Sequence, residues 1–463
     1  MKFKTTIVLF SILVALLVFV FVFETKWKKG KEAEEKLVEL VSDEVEKIDF
    51  KKEDEAISFK KDENGNWLIT SPLQAKADKY EVERLADDFS DLRIERVVEE
   101  EPGHLSRYKI PLKEITLWYK NRKEPVRILI GMQNPLDNTF FAKREDEKRV
   151  VLIPSYVKSL LEKKVFDFRQ KDIFSFETDD VKNIKLRAKG IRWDAVKRND
   201  EWWFSRPVRA LARKSRIENI TGSLSGLKAK DFVVEEKKPA DMAEYGLDRA
   251  DYVVTLGMPL LNKEITFFLQ KKEEKLYATS SLSTKIVEVE DSILSDLEKK
   301  TEELREKEVV NFYSWEAFRV RLKKGEHTIE VEKDKEDNWY FLKEKKEEAD
   351  KDKVMTLVRK IESLEASELI DPPFRLSDYG LEKPEIEVTI WTKEKDEPEE
   401  KAKEFKVLIG REDKENKKVV VKNERLNYLF RVDSDFLSQV PEKQEDWKAK
   451  KEEKKQENKV RKK

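Results

Sequence analysis

Trp67, Trp202 and Trp339 stand 135 and 137 residues apart, and two unrelated markers keep nearly the same step. The first is an apolar stripe: Val82, Leu85, Phe89 and Leu92 recur as Ile217, Ile220, Leu224 and Leu227, and again as Val354, Leu357, Ile361 and Leu364. The offsets i, i+3, i+7 and i+10 are those of one face of an amphipathic helix. The second is a turn carrying Tyr108, Tyr245 and Tyr379, spaced 137 and 134 residues apart. A chain that repeats itself at this period is a series of like units, each expected to own its core. Asp78 and Asp350 stand where an N-cap belongs, and Arg213 holds that place in the middle copy.

Alternating apolar and polar residues lead up to each Trp, as at 45–50, 56–59, 318–322 and 328–331. More such runs follow each Tyr: 115–119, 126–130, 139–142 and 150–153 in the first copy, with counterparts in the others. Period-two alternation marks strands with one buried face, and the short links between them imply antiparallel, meander-like pairing. The expected fold is α+β: three repeats of an antiparallel sheet with helices packed on one face, after one N-terminal transmembrane helix. The joins resemble each other too, 168–174 against 304–310. The expected divisions are a cytoplasmic stub at 1–6, an anchor at 7–27, repeat units at 43–175, 179–312 and 315–441, and a charged tail at 442–463.

Residues 7–23 are apolar except for Ser11, seventeen residues that rise about 25 Å as a helix. Trp27 suits the interface, and Lys26, Lys28 and Lys29 can snorkel. A cleaved signal peptide would end in small residues, whereas this run ends Phe21-Val22-Phe23-Glu24. Lys2 and Lys4 favour an inside N-terminus; Lys26, Lys28, Lys29 and Lys31 compete from the other flank, but large C-terminal domains translocate largely regardless of charge. The expectation is a single-pass protein with the bulk of the chain extracytoplasmic, periplasmic or at the cell surface.

Charge and composition narrow the chemistry. Charged residues make up 42% of the chain, yet 96 Lys and Arg nearly cancel 97 Asp and Glu. Interspersed signs give no global basic face, so nucleic acid is not an expected partner. Cysteine is absent, which excludes disulfides, thiolate metal sites and a thiol nucleophile. The two histidines, His104 and His327, occupy non-equivalent places and read as surface residues. No phosphate-cradling glycine loop is present. The 222–226 segment Gly-Ser-Leu-Ser-Gly resembles a nucleophile elbow but lies within the apolar stripe of the second helix. No catalytic, cofactor-binding or metal-binding residue is singled out, and no enzymatic activity is expected.

The residues that remain distinctive are Trp67, Trp202 and Trp339, with Tyr108, Tyr245, Gly246, Leu247, Tyr379, Gly380, Leu381 and Pro384. Gly246 and Gly380 suit a positive-φ turn, Leu247 and Leu381 are expected to plug the core, Pro384 to fix the exit, and the Trp side chains to fill the core. The pattern of a Trp strand ending in Pro, a helix, a Tyr-Gly-Leu-acidic turn and a strand ending Ile-Gly (Ile130-Gly131, Ile409-Gly410) resembles the bacterial family of unknown function DUF4340. The first copy lacks the turn glycine, and the second has Thr266-Phe-Phe-Leu269 where Ile-Gly is expected. The resemblance implies an exported, membrane-anchored protein, accessory to an ABC-type transport or gliding-related complex. Expected partners are the membrane, through residues 7–27, and other proteins of that complex; the alternative is an envelope protein that binds a glycan or peptide. If the anchor is retained, mass spectrometry of protein from native membranes finds the uncleaved N-terminus; a mature chain beginning near residue 25 would remove it.

Overall fold

The computed structural model describes residues 35–52, 54–174, 176–343, 347–394 and 397–449. The apolar run at 7–23 lies outside them; among the described residues no helix is long and apolar enough to cross a membrane. By contact the chain divides between Ile173 and Phe174 into two compact parts. The first carries one antiparallel nine-stranded sheet and the second carries two.

In the first part the strands are β1 (Val45–Lys51), β2 (Ala56–Lys61), β3 (Trp67–Ser71), β4 (Ala75–Lys76), β5 (Arg96–Glu99), β6 (Lys113–Tyr119), β7 (Val126–Gln133), β8 (Phe140–Arg144) and β9 (Val150–Ile153). The order across the sheet is β4-β3-β2-β1-β6-β7-β8-β9-β5. Two meanders therefore meet at β1 and β6, and β4 and β5 stand at opposite ends. Helix α1 (Lys79–Ser90) makes that passage across one face. Its stripe residues Val82, Leu85 and Phe89 share one buried cluster with Ile48, Phe50, Ile57, Ile115 and Ile128 of the sheet. Asp78 caps the helix, its carboxylate accepting from the amides of Tyr80 and Glu81.

The second part repeats the order twice. Its second sheet comprises β10 (Asn183–Ala188), β11 (Ile191–Arg198), β12 (Glu201–Arg206), β13 (Ala210–Leu211), β14 (Ala229–Val234), β15 (Tyr252–Met258), β16 (Lys263–Lys272), β17 (Lys275–Ser280) and β18 (Ile286–Val289), with α2 (Lys214–Ser225). The third comprises β19 (Ala317–Lys324), β20 (His327–Lys333), β21 (Trp339–Phe341), β22 (Glu348–Ala349), β23 (Glu368–Ile370), β24 (Ile386–Thr392), β25 (Lys403–Asp413), β26 (Lys418–Asn423) and β27 (Leu429–Asp433), with α3 (Lys351–Glu362). Asp350 caps α3 as Asp78 caps α1. Arg213 makes no such cap; its guanidinium lies 3.2–3.6 Å from Glu306, Glu308 and Glu365.

Four features differ from the sequence reading. Each sheet has nine strands, two more than the alternation revealed, because β4 and its counterparts are two residues long and the strands after the helices do not alternate apolar with polar residues. The layout is also a pair of meanders rather than one. Third, the assigned tail does not begin at Glu442: Trp447 is 2% exposed and sits in the core of the third sheet. It closes that module as Phe168 and Leu304 close the others. The amides of Asp78, Arg213 and Asp350 donate to the carbonyls of Phe168, Leu304 and Trp447 at 2.7, 2.8 and 2.6 Å. Isolated bridges pair Ala77 with Arg169, Ala212 with Arg305 and Ala349 with Lys448, covering an otherwise open sheet edge.

A fourth difference is that the second and third sheets share packing, where the repeat alone predicts a separate core for each unit. Ala210 lies within the third core, and Trp203, Val208 and Leu211 pack against it. Arg305, almost fully buried, grips Asp371 through two 2.7 Å hydrogen bonds and lies 4.6 Å over the ring of Tyr428. The connecting segment runs straight from one module into the next: the Glu306 amide donates to Leu211 O at 2.9 Å, and the Val309 amide to Leu364 O at 2.9 Å. Asn423 Nδ2 then donates to Val309 O at 2.8 Å. Truncating Leu357 or Trp447 to Ala is expected to cost about 2–5 kcal/mol. Calorimetry should show the transition of the 174–449 part lowered as a whole, and that of the 35–173 part unmoved. Separate shifts of the second and third modules would contradict the shared packing.

Candidate functional site

Trp67, Trp202 and Trp339 are 0–2% exposed, each inward-facing on its strand, and their indole N–H groups meet no acceptor among the described residues. Lys61 and Lys197 cover the rings of Trp67 and Trp202 at 5.0 and 5.8 Å. These rings are core volume, with no face free to stack on a ligand.

The tyrosine turns lie on the other side of the sheet. Along β25, Phe405, Val407 and Ile409 enter the main core, whereas Leu408 points the opposite way and joins Leu381, Val420 and Leu429. Tyr379, Leu376 and Phe374 pack onto that second cluster. Leu381 thus fills a smaller core behind the sheet, where strand alternation presents a second apolar row. Tyr108 and Ile110 do the same in the first module with Val150, Leu129 and Phe141, the rings of Tyr108 and Phe141 being 4.8 Å apart. Tyr245 meets Tyr277 at 4.8 Å, and Leu247 is fully buried. Pro384, half-buried, precedes β24. Burial and then Glu99 raise the Tyr108 phenol above its ordinary pKa.

The Ile-Gly strand end follows from this seating. A Cβ on Gly131 would lie 2.2 Å from Tyr108 O, and one on Gly410 would lie 2.1 Å from Tyr379 O. The turn backbone rests directly on the strand, so only glycine fits beneath it. Gln270 takes that place in the second module, where its side chain bonds the amide and carboxylate of Asp251 and the turn is carried by a short helix, Pro239–Glu244. Gly246 and Gly380 have φ of +70° and +71°, and Lys109 holds the same left-handed conformation at +50°.

The remaining chemical candidates are also structural. His104 and His327 are exposed. Within 222–226, Leu224 is buried, Ser223 Oγ donates to Asp296 at 2.7 Å and Ser225 Oγ to Phe176 O at 3.2 Å. Burial lowers the pKa of Lys237, whose ammonium donates to Thr279 Oγ1 and Ser280 O at 2.9 and 2.6 Å. The Thr279 hydroxyl itself donates to Lys285 O at 2.6 Å and is fully buried.

What distinguishes the modules is the sheet face opposite the long helix, over the half that the tyrosine turn leaves bare. On the third sheet, Arg319 and Arg321 both meet Glu330, at 2.6 and 2.9 Å, and flank Trp391 at 5.2 and 5.0 Å. Glu387 takes Lys323 and Lys406 at 3.4 and 3.3 Å. On the first sheet, Lys47 pairs with Asp49 at 3.0 Å and covers Trp118 at 4.0 Å, and Arg127 lies 3.1 Å from Glu114. The second sheet instead holds an open groove of about 670 Å³ lined by Lys185, Arg187, Arg192, Arg206 and one acid, Asp194. Gly257 stands where Trp118 and Trp391 stand in the others. The sequence reading missed this face, because the charges that compose it come from three strands.

Gly410→Ala should destabilise by about 1–3 kcal/mol through the clash with Tyr379 O. Lys109→Gly should stabilise by about 0.5–1 kcal/mol by relieving left-handed strain. Thermal denaturation of both variants checks the pair.

Comparison with known proteins returns one family profile, described as Domain of unknown function (DUF4340), which matches residues 67–248 and 202–375. No curated protein matches. Among solved structures, the DNA polymerase sliding clamp from Pseudomonas aeruginosa aligns at 8% identity over 86% of this chain and 93% of its own, with a TM-score of 0.16. The DNA polymerase III subunit beta from Pseudomonas aeruginosa aligns at 7% identity over 86% and 94%, also with a TM-score of 0.16. At that TM-score neither likeness carries an argument. The two profile matches overlap and together cover most of the sequence: the chain belongs to the family Domain of unknown function (DUF4340).

Proposed function

We propose that the protein is a non-catalytic interaction scaffold, held to a membrane by residues 7–27 and displaying three diverged copies of one sheet-and-helix unit outside the cytoplasm. Its role on this reading is accessory, within a membrane complex such as an ABC-type transport or gliding-related assembly. The observation that carries the reading is the division of labour among residues. The distinctive Trp, Tyr, Gly and Leu positions are spent on packing in every module, whereas the bare sheet faces, alike in backbone, differ in charge and aromatic content. A constant frame with variable faces is what a multi-partner scaffold needs. The anchor is supported by the apolar run and by the bulky residues at its end, where a cleavage site would carry small ones.

A second reading, an envelope protein binding a glycan or peptide, draws on the 670 Å³ groove of the second sheet, where Ser205 and Thr255 stand among the cations. Protease added to sealed spheroplasts is expected to degrade the 175–440 region; full protection would put the modules in the cytoplasm and defeat the extracytoplasmic reading. Crosslinking in native membranes should then capture integral membrane proteins, and recovery of the chain alone would count against a scaffold.

A further inference from the structure

Arg187 and Arg192 are direct cross-strand partners on β10 and β11, both exposed on the bare face of the second sheet. Like charges placed opposite one another destabilise a sheet. Among the described residues neither guanidinium meets a carboxylate, and the nearby pairs are loose: Arg206–Asp194 at 3.8 Å and Lys185–Glu264 at 3.9 Å. The sister sheets show what is missing. The position beside Lys51 on β6 is Glu114, and that beside Lys323 on β24 is Glu387, which lies 3.4 Å from the ammonium. Beside Arg187 on β15 the same position is Val253.

We infer that this face is a docking surface for an acidic polypeptide segment, whose carboxylates take the place that Glu114 and Glu387 hold in the sister sheets. The inference rests on the interaction-scaffold reading and names the chemistry of one partner. Carboxylate is favoured because it is the group that answers cations at the equivalent positions, and because three of the four groove cations are guanidiniums, whose forks match a carboxylate with two parallel hydrogen bonds. The spacing suits an extended chain. Lys185 and Arg187 are two residues apart on one strand face, about 6.8 Å, the same step as alternate side chains of an extended peptide. Val253 and Thr255, on the next strand, offer the floor against which such a segment lies.

The test uses the purified full chain in detergent and fluorescent polyglutamate, with polyphosphate and glycerophosphoglycerol, the soluble headgroup of phosphatidylglycerol, as competing arms at matched charge and salt. Polyglutamate should bind, more weakly as salt rises. The double variant Arg187→Gln/Arg192→Gln should lose at least tenfold in affinity, and so should Val253→Glu, which removes no cation but supplies the carboxylate from within. Both variants should melt at or slightly above the parent temperature, since each relieves the like-charge pair, and this separates lost docking from misfolding. Equal or tighter binding of polyphosphate or glycerophosphoglycerol, unchanged binding in either variant, or no binding of polyglutamate would each overturn the inference. The readout is independent of topology: modules found in the cytoplasm would sink the extracytoplasmic reading and leave this one standing, and membrane-protein crosslinks without polyglutamate binding would do the reverse.

Discussion

Everything in each module depends on a crossing. The chain leaves the first meander at one end of a nine-stranded sheet and must begin the second half at the other. Only the long helix bridges that gap, and it can lie across the sheet only if one of its faces is apolar enough to be sealed there. Burying each large stripe residue contributes roughly 1.5–3 kcal/mol, and three or four per helix hold two meanders in one layer. The stripe therefore sets topology as well as stability, which is why it repeats with so little drift.

The second side of the sheet is organised by a lesser constraint. Over the β7–β9 half, alternation leaves a row such as Leu408, Val420 and Leu429 facing away from the helix, and a row of this kind exposed to water would invite aggregation. The tyrosine turn covers it and, in the first and third modules, forces glycine onto the strand beneath. Over the other half the exposed strand positions are mostly charged, with Trp118 and Trp391 among them in the first and third modules. Among the described residues no turn folds against the bare half, and the first, second and third modules carry balanced, basic and balanced faces on one frame.

How much of this was legible in the sequence follows from how local each signal is. The stripes and the positive-φ glycines announce themselves within a dozen residues. The side of the sheet on which Leu381 lands depends on strand register, which no local pattern carries. Trp447 was hidden by its company, a single aromatic among lysines and glutamates that reads as solvated tail until the groove it enters is known. Short strands such as Glu368–Ile370 were invisible because pairing with β27, rather than their own composition, makes them strands. Arg187 and Arg192 are five residues apart in sequence and become a pair only through the hairpin. Counting charge over the whole chain averaged that pair away.

The segment from Leu304 to Val310 finishes one module and starts the next without a residue to spare. Glu306 is still hydrogen-bonded to Leu211, and Val309 is already bonded to Leu364. Such a connection acts as a gauge block rather than a tether. One inserted residue would slip both ladders and carry Arg305 away from Asp371 in the same stroke. The length of this connection is thus set by two modules at once, and whatever holds the one in register holds the other.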